Sequence, residues 1–367
     1  MLRSRILVPL LTLCALVATG LALGQPAQAR PSLPSPIGQD PIVAGQPYTG
    51  DFPDPWIIRI GPRYYAWSTT SDGLNLPMMS STDLHNWVTR PATPDNPTGD
   101  ALPRVAWWAQ PATRQPTDGR VRSANGPWAP SVTKVAPHTF VLAYAVQVGG
   151  APGTKMCISL ARATTPWGPF VDTTAGPVVC PPRGAIDPQI FLAPSGRPWL
   201  VWKADYFPAK LFTQPMDRAA TGVLPGRRVH FLAKIAQPWE GSIIENPAMI
   251  QYKKRFYLFY SANSYASTRY AIGYLICKDW RGHCTRPRQH PLLATAGQIA
   301  GPGGPAPFVD QQGRLRLGYH AWTVGKVGYP TSTQCTLEPG GCGQRRLYVA
   351  TLGVKSTGRL RVLKYYS

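Results

Sequence analysis

Acidic side chains are scarce in this sequence. Its 367 residues include 17 Asp and Glu against 38 Lys and Arg, which gives a formal net charge of +21 at pH 7. Such a balance favours polyanionic surroundings through long-range attraction that salt weakens. The basic residues are dispersed rather than clustered, which disfavours nucleic acid as the partner. An acidic polysaccharide or a negatively charged cell wall fits better, and an unselected habit of composition explains the charge equally well.

Long helical patterns and metal-binding motifs are also missing. No long stretch has apolar residues at helical spacing, whereas the chain holds 41 Pro and 35 Gly. This composition is typical of an all-β chain with many turns. No Cys-x-x-Cys pair occurs and the seven cysteines are scattered. A cysteine-bound metal and a free nucleophilic cysteine are therefore both disfavoured.

A long hydrophobic run occurs at the N-terminus. Two arginines precede an apolar run over residues 6–23, and Ala27-Gln28-Ala29 follows it. Basic, apolar and small-x-small regions in this order are typical of a secretory signal peptide. We expect a signal peptide over residues 1–29, cleavage after Ala29, and a secreted or cell-wall-associated protein without stable membrane insertion. A retained membrane anchor is the alternative, because the run is long enough to span a bilayer.

One short phrase recurs five times in the rest of the chain. Each copy begins with a dipeptide that ends in proline. An apolar strand, a turn and a second strand rich in aromatic residues then follow in that order. The prolines are 75, 58, 59 and 58 residues apart and are Pro55, Pro130, Pro188, Pro247 and Pro305. A near-constant period of this length indicates a solenoid or propeller, and each unit has room for about four short strands. We predict an all-β, five-bladed β-propeller over residues 48–367, after a linker over residues 30–47.

Six cysteines follow the predicted signal peptide, an even number suited to an oxidising compartment. Six cysteines allow 15 pairings, so the spacing does not fix the connectivity. Local bridges within single blades are the simplest arrangement. They would join Cys157 to Cys180, Cys277 to Cys284, and Cys335 to Cys342.

Three carboxyl groups fall at nearly the same phase of the repeat. The position before the repeat proline is occupied, in chain order, by Asp54, Ala129, Asp187, Asn246 and Gly304, and Glu245 comes one residue earlier in the fourth unit. The residue before a proline is pushed towards extended geometry, which predicts an extended Asp54 at the mouth of its strand. Equivalent blade positions converge on one end of the central channel, so the three carboxyls should meet there. Clustered like charges drive pKa values apart, which suits acid–base catalysis, although a single Asp-Pro is ordinarily a turn or strand cap.

These motifs resemble glycoside hydrolase family 43, whose members are five-bladed propellers that include arabinofuranosidases, arabinanases and xylosidases. The resemblance covers about residues 48–350. It rests on Asp51-Phe-Pro-Asp54-Pro55, Trp128-Ala-Pro-Ser, Ile186-Asp187-Pro188, Trp239-Glu-Gly and Glu245-Asn-Pro247, in that order.

The resemblance implies roles for the three carboxyls. Asp54 is the expected general base, Glu245 the general acid, and Asp187 the modulator of the acid's pKa. It also implies inversion, with the carboxyls of Asp54 and Glu245 roughly 6.5–9.5 Å apart so that a water fits between them. Glu240 is the rival for the acid role. Glu245 is preferred because it directly precedes the repeat proline motif.

Aromatic residues are expected to shape the sugar site. Trp128 stands at a blade mouth and is the best candidate, followed by Tyr265 and by Trp107-Trp108. Some family members use a Gly-Pro-Gly-His segment to hold a central ion, but this chain has Gly304 at that point. His320 is the substitute candidate, facing the channel and the substrate. No cofactor is required for the chemistry, and a structural calcium ion in the channel stays an open alternative.

The sequence therefore predicts a secreted, monomeric hydrolase of α-L-arabinofuranosyl linkages in branched plant polysaccharide or arabinan. A β-D-xyloside or galactan substrate is the close alternative. A carbohydrate- or cell-wall-binding propeller without turnover is the alternative from a different class. The presence of all three carboxyls at nearly the same position of the repeat argues against this alternative, because binding alone does not need an acid and a base.

Overall fold

The structure is a computed structural model that describes residues 50–110, 113–117, 120–124, 126–148, 155–329 and 343–366. All of these belong to a compact unit of residues 37–367. No helix within these ranges is long and apolar enough to cross a membrane. The predicted signal peptide, the whole of the predicted linker and the predicted boundary between linker and propeller lie outside the described residues.

The described chain is almost entirely β-strand. Blade one contains β1 (Trp56–Ile60), β2 (Arg63–Trp67), β3 (Met78–Ser81) and β4 (Val88–Thr89). A separate hairpin contains β5 (Thr113–Thr117) and β6 (Arg120–Ala124). Blade two contains β7 (Trp128–Ala136), β8 (Thr139–Gln147) and β9 (Met156–Ala163).

The remaining blades have four strands each. Blade three contains β10 (Ala185–Leu192), β11 (Pro198–Ala204), β12 (Lys210–Pro215) and β13 (His230–Lys234). A 3-10 helix (Pro238–Glu240) precedes blade four, which contains β14 (Ile244–Tyr252), β15 (Arg255–Ala262), β16 (Ala271–Asp279) and β17 (Gly282–Thr285). Blade five contains β18 (Ile299–Val309), β19 (Leu315–Thr323), β20 (Arg346–Val354) and β21 (Leu360–Tyr366).

The five predicted hairpins are the inner halves of five blades. Strands follow chain order within every sheet and pair antiparallel. The innermost strands β1, β7, β10, β14 and β18 contact one another in sequence, and β1 also contacts β18. This confirms the predicted all-β, five-bladed β-propeller.

Each blade packs against neighbouring blades on both of its faces, and its strands therefore bury consecutive side chains. The side chains of β15 are buried from Phe256 to Ala262, with no alternation of buried and exposed positions. The first and last blades meet through the rings of Tyr64 and Phe308, which lie edge to face with centroids 5.7 Å apart. Gly318 permits a close approach here, since a Cβ atom at that position would lie 2.5 Å from Cδ1 of Ile57. The ring of blades is thus joined by side-chain packing.

The residues before the repeat prolines share one unusual backbone geometry. Their φ angles are +47° for Asp54, +44° for Ala129, +55° for Asp187, +49° for Asn246 and +61° for Gly304. The predicted extended geometry of Asp54 is therefore wrong. Register shifts fall at this point in β7, β10, β14 and β18, as in β-bulges that redirect a side chain. Positive φ is costly for residues other than glycine, so the fold holds these side chains against a local preference.

Two of the three expected disulfides are present. Cys277 in β16 is bonded to Cys284, its partner across the strand pair in β17. Cys157 in β9 is bonded to Cys180, which lies between β9 and β10. The expected bridge between Cys335 and Cys342 lies outside the described residues.

Candidate active site

A cavity of about 480 Å³ opens where the repeated phrases converge, and we call it the central cavity. It is lined by the predicted site residues Asp54, Asp187, Glu245, Trp128 and Tyr265. Asp51, Asp72 and Asp205 add three further carboxyls to its wall. Six of the 17 acidic residues of this basic chain thus face one cavity, together with two buried cations, Lys203 and Arg345. Such a lining disfavours an anionic sugar and favours a neutral one.

Asp54 is positioned by contacts to both its backbone and its carboxyl group. Its amide donates to Nδ1 of His320 at 2.9 Å, and its Oδ2 accepts from the hydroxyl of Thr69 at 2.8 Å. That hydroxyl in turn accepts the amide of Ala129 at 2.8 Å, so its hydrogen points at Asp54. Nη1 of Arg345 lies 3.4 Å from Oδ1. Contacts from blades one, two and five therefore fix the expected base.

His320 lies beneath the cavity and does not face it. Its side chain is fully buried, which corrects the predicted direct contact between His320 and the substrate. Burial lowers the pKa of His320 well below its usual value, and Arg345 lowers it further. The ring is therefore neutral, and because Nδ1 accepts the Asp54 amide, the proton sits on Nε2. His320 thus positions the backbone of Asp54, a role that the sequence did not predict.

The lining does not fit a protein-bound calcium ion. Among the described residues, no cluster of three or more His, Cys, Asp or Glu side chains has a metal-binding arrangement. Calcium takes about six to eight oxygen ligands, whereas the channel-side donor proposed from the sequence is a single imidazole. The Nε2 of that imidazole carries a proton and cannot ligate a metal in this tautomer. No step of the chemistry below passes through a metal.

Glu245 is held by two donors on opposite sides of its carboxyl group. The Tyr270 hydroxyl lies 2.7 Å from Oε1, and Nζ of Lys203 lies 3.3 Å from Oε2. Lys203 is itself buried, and burial alone would lower its pKa. The carboxyls of Glu245, Asp187 and Asp205 outweigh burial and raise the pKa of Lys203, so the amine stays charged.

Asp187 is the most enclosed of the three carboxyls. Burial raises the pKa of Asp187 to about 8; Lys203 opposes the shift, and Glu245 and Asp54 add to it. Its Oδ2 accepts the amide of Asn246 at 2.8 Å. The structure therefore favours the protonated form of Asp187 near neutral pH. Among these three carboxyls, the raised pKa of Asp187 makes it a group that holds a proton in the cavity.

Glu240, the rival acid, has a different environment. Its side chain is fully buried, and it accepts hydrogen bonds from the hydroxyl of Tyr260 at 2.5 Å and from Nε of Arg286 at 2.6 Å. Its other oxygen accepts the amide of Ala236 at 2.7 Å. Among the described residues, Glu240 is not part of the central cavity wall. It anchors the short helix before blade four.

Sequence reasoning missed Arg345 and its partners. The Arg345 amide donates to Oδ1 of Asp51 at 2.6 Å, and Nε lies 2.9 Å from the hydroxyl of Tyr329. That hydroxyl is also 2.6 Å from Oδ2 of Asp51. The guanidinium lies over the rings of Tyr265 and Tyr329, 5.0 and 5.3 Å from their centroids. Through this cluster, the segment that follows β19 contacts the first repeat phrase.

The aromatic candidates divide between two places. Trp128 and Tyr265 line the central cavity, and both side chains are 43% exposed. Trp107 does not line it but borders a second cavity. Trp108 is half-buried and packs against the core.

A propeller whose blade mouths gather carboxyls in one open cavity has the architecture of a polysaccharide-cleaving enzyme. The chain belongs to the glycosyl hydrolases family 43, whose family model matches residues 44–340. It is therefore a glycosyl hydrolase. No curated relative matches the sequence.

Solved structures of family 43 enzymes share the fold. A thermostable family-43 glycoside hydrolase is 22% identical with a TM-score of 0.66, over 86% of this chain and 93% of that one. An endo-1,4-beta-xylanase from Bacteroides thetaiotaomicron is 22% identical with a TM-score of 0.66, over 88% and 97% of the two chains. An alpha-L-arabinanase from Cellvibrio cellulosa is 20% identical with a TM-score of 0.61, over 85% and 95%. At these identities the likeness extends to the fold alone.

Proposed function

We propose that this chain is a secreted, inverting hydrolase of α-L-arabinofuranosyl linkages in polysaccharides, with β-D-xylosyl linkages as the close alternative. One observation carries the proposal. Asp54, Asp187 and Glu245 come from blades one, three and four and line the same cavity. An inverting glycosidase needs an acid and a base on opposite sides of the scissile bond.

The proposed reaction uses Glu245 as acid and Asp54 as base. Glu245 gives its proton to the glycosidic oxygen while the bond from that oxygen to the anomeric carbon breaks. A water molecule forms the new bond to the anomeric carbon from the opposite face, and Asp54 accepts its proton. The hydrogen bond from Thr69 and the contact from Arg345 fix the direction of the Asp54 carboxyl. Exchange with solvent then returns a proton to Glu245 and removes the one that Asp54 accepted.

Asp187 and Lys203 act on the acid in opposite directions. Asp187, whose pKa is raised to about 8, holds a proton near neutral pH and is a neutral neighbour of the proposed acid. Lys203 stabilises the anion that Glu245 becomes after it protonates the leaving group. Glu245 is partly exposed whereas Asp187 is buried, so Glu245 is the carboxyl that meets the substrate.

The lining supports a neutral sugar as substrate. Trp128 and Tyr265 offer aromatic faces to the C–H groups of a sugar ring, and the surrounding carboxyls can accept hydrogen bonds from its hydroxyls. An anionic sugar would face six carboxyls against two cations. We therefore assign any polyanion attracted by the net charge to the outer surface, away from this cavity.

Nitrophenol release tests the proposal. The α-L-arabinofuranoside and the β-D-xyloside are incubated with the wild-type protein and with Glu245→Gln. Turnover of the arabinofuranoside that Glu245→Gln abolishes is the expected result, and turnover of the xyloside alone would change the sugar but keep the mechanism. If neither reacts, intact arabinan is tested for endo action. Binding of arabinan without product release would instead favour a non-catalytic binding propeller.

Secretion is part of the proposal and has its own test. The basic-apolar-small order of residues 1–29 supports export, and the two disulfides are compatible with an oxidising compartment. N-terminal sequencing of the protein from the culture medium is expected to begin at Arg30. An intact Met1 would contradict cleavage.

A further inference from the structure

A second cavity is separated from the central cavity by a single turn, residues 71–75. Its volume is about 570 Å³. The turn of residues 71–75 is closed by backbone hydrogen bonds between Ser71 and Leu74. Ser71 and Asp72 line the central cavity, whereas Gly73 and Asn75 line the second one. A chain that leaves the central cavity across this turn therefore reaches the second cavity.

The wall of the second cavity presents a fixed, exposed indole. Trp107 is 77% exposed, more than any other large apolar side chain among the described residues. Its Nε1 donates to the carbonyl oxygen of Thr174 at 3.1 Å, and Nε1 of Trp108 lies 3.0 Å from the hydroxyl of the same threonine. The orientation of the Trp107 ring is thus set, although its surface is open. An indole fixed in this way at the wall of a cavity can offer its face to a ligand there.

The support behind Trp107 is rigid. The amide and the hydroxyl of Thr174 both donate to Oδ1 of Asp172, at 2.8 and 2.6 Å, and the hydroxyl of Tyr144 donates to Oδ2 at 2.6 Å. Tyr144 is fully buried in blade two, and its oxygen also accepts the amide of Ala106 at 3.0 Å. The loop that carries Trp107 is therefore tied to the blade on both sides of the indole. A preorganised surface of this kind loses little conformational entropy on binding.

Besides Asp100, whose buried carboxyl accepts backbone amides, two exposed charged side chains of opposite sign complete the cavity. Asp95 and Arg104 line it and are exposed. Neither side chain forms an ion pair or a hydrogen bond with the part of the chain that the structure describes. An aromatic face beside one carboxylate and one guanidinium suits a neutral polyol, whose C–H groups contact the ring and whose hydroxyls bond both charges. The opposite charges give no preference for a polyanion.

We propose that Trp107, Asp95 and Arg104 form an auxiliary binding site for a neutral polysaccharide chain, which we call the Trp107 cleft. The same chain reaches the central cavity across the turn of residues 71–75. The inference rests on the proposed function for the identity of the ligand, namely the substrate polymer. The cleft raises affinity for long chains through a second point of attachment.

Binding in the inactive Glu245→Gln background tests the cleft without consuming the polymer. Debranched arabinan and soluble arabinoxylan are the probes, and affinity gel electrophoresis gives the Kd. Adding Trp107→Ala should weaken binding about tenfold, which corresponds to about 1.4 kcal/mol. Adding Phe231→Ala should leave the Kd unchanged, since Phe231 is also an exposed aromatic (48%) but lies on β13, far along the chain in blade three.

Arg104→Gln provides a second variant that does not touch the indole anchors, and it should also weaken polymer binding. The proposal is overturned if Trp107→Ala binds both polymers as tightly as its parent, or if the parent binds neither polymer. It is also overturned if Trp107→Ala and Arg104→Gln, made in the wild-type background, both lose hydrolysis of the nitrophenyl glycosides, because the cleft would then belong to the central cavity. A further outcome is that the wild type hydrolyses neither the nitrophenyl glycosides nor arabinan while Trp107→Ala and Arg104→Gln still weaken polymer binding. In that case the proposed function fails and the cleft stands.

Discussion

Nζ of Lys203 lies 3.3 Å from Oε2 of Glu245 and 3.6 Å from Oδ1 of Asp205, with only 8% of the lysine side chain exposed. The ammonium also opposes the effect of burial on the pKa of Asp187. A buried cation this close to carboxyl groups disfavours their protonation. Lys203 therefore controls the pH range in which the proposed acid can act.

The first prediction concerns Lys203→Met. The ammonium 3.3 Å from Oε2 of Glu245 stabilises the Glu245 anion, so without it the alkaline limb of the pH–kcat profile should move upward by about one unit. Lys210→Met is the control, since Lys210 lies on β12 of the same blade, outside the wall of the central cavity. The profile is measured with the nitrophenyl glycoside that the wild type hydrolyses. A limb that stays in place, or moves to lower pH, contradicts this role for Lys203.

The second prediction separates Glu245 from Glu240. Glu245→Gln should reduce kcat by at least about a hundredfold, because the proton donor is lost. Glu240→Gln should retain most of the activity but lower Tm, because a buried carboxylate bonded to Arg286 and Tyr260 loses its charge. Activity and thermal unfolding are measured on both variants. Loss of activity in folded Glu240→Gln together with an active Glu245→Gln would reverse the assignment.

The third prediction uses the raised pKa of Asp187. Its folded-state pKa of about 8 exceeds the ordinary value of 3.8, so the folded protein binds the extra proton. The resulting stabilisation is complete below about pH 4 and is lost as pH rises through about 8. Asp187→Asn mimics the protonated side chain, so its stability should fall less between pH 5 and pH 8 than that of the wild type.

Calorimetric Tm values at these two pH values check the third prediction. At pH 8 the variant should exceed the wild type by a few degrees, on the order of a 1 kcal/mol change. Asp205→Asn is the control, because Asp205 is 31% exposed and faces the same lysine. A Tm difference between wild type and Asp187→Asn that does not change with pH would show that Asp187 does not bind the extra proton.

The propeller could be predicted from the sequence because one structural unit is repeated. Each blade buries both faces of its inner hairpin, and this keeps the apolar strands, the turn and the proline at constant spacing. The same repetition predicted that Asp54, Asp187 and Glu245 would meet. It did not predict the positive φ angles of the residues before the repeat prolines, because the rule for such residues describes an ordinary strand, and these residues occupy bulges or strand starts.

Lys203 and Arg345 could not be found in the same way. Lys203 pairs with Ile186 across the β10–β11 hairpin, so it sits beside Asp187 only through the strand register. Arg345 follows residues 330–342, which separate it from the fifth repeat phrase. The buried position of His320 could not be predicted either. The sequence pattern of a histidine at the end of a strand is the same whether the side chain faces the channel or lies beneath Asp54.

The last prediction concerns Arg345 and Asp51. Burial raises the pKa of Asp51, and Arg345 lowers it. Arg345→Met would leave Asp51 and Asp54 without their buried cation, so the free energy of unfolding should fall by about 3–5 kcal/mol. Adding Asp51→Asn should recover part of that loss, because it removes one of the two uncompensated carboxyls. Urea denaturation of the two single variants and the double variant gives the coupling free energy.

Arg314→Met is the matched control for this cycle. Arg314 is 49% exposed and pairs with Asp310, which keeps a second partner in Arg316. Its removal should cost less than about 1 kcal/mol. If Arg345→Met costs no more than Arg314→Met, or if the losses from Arg345→Met and Asp51→Asn simply add, then the two residues are not coupled. Arg345 would then serve only the cavity wall, and the connection between the first repeat phrase and the chain after blade five would depend on packing.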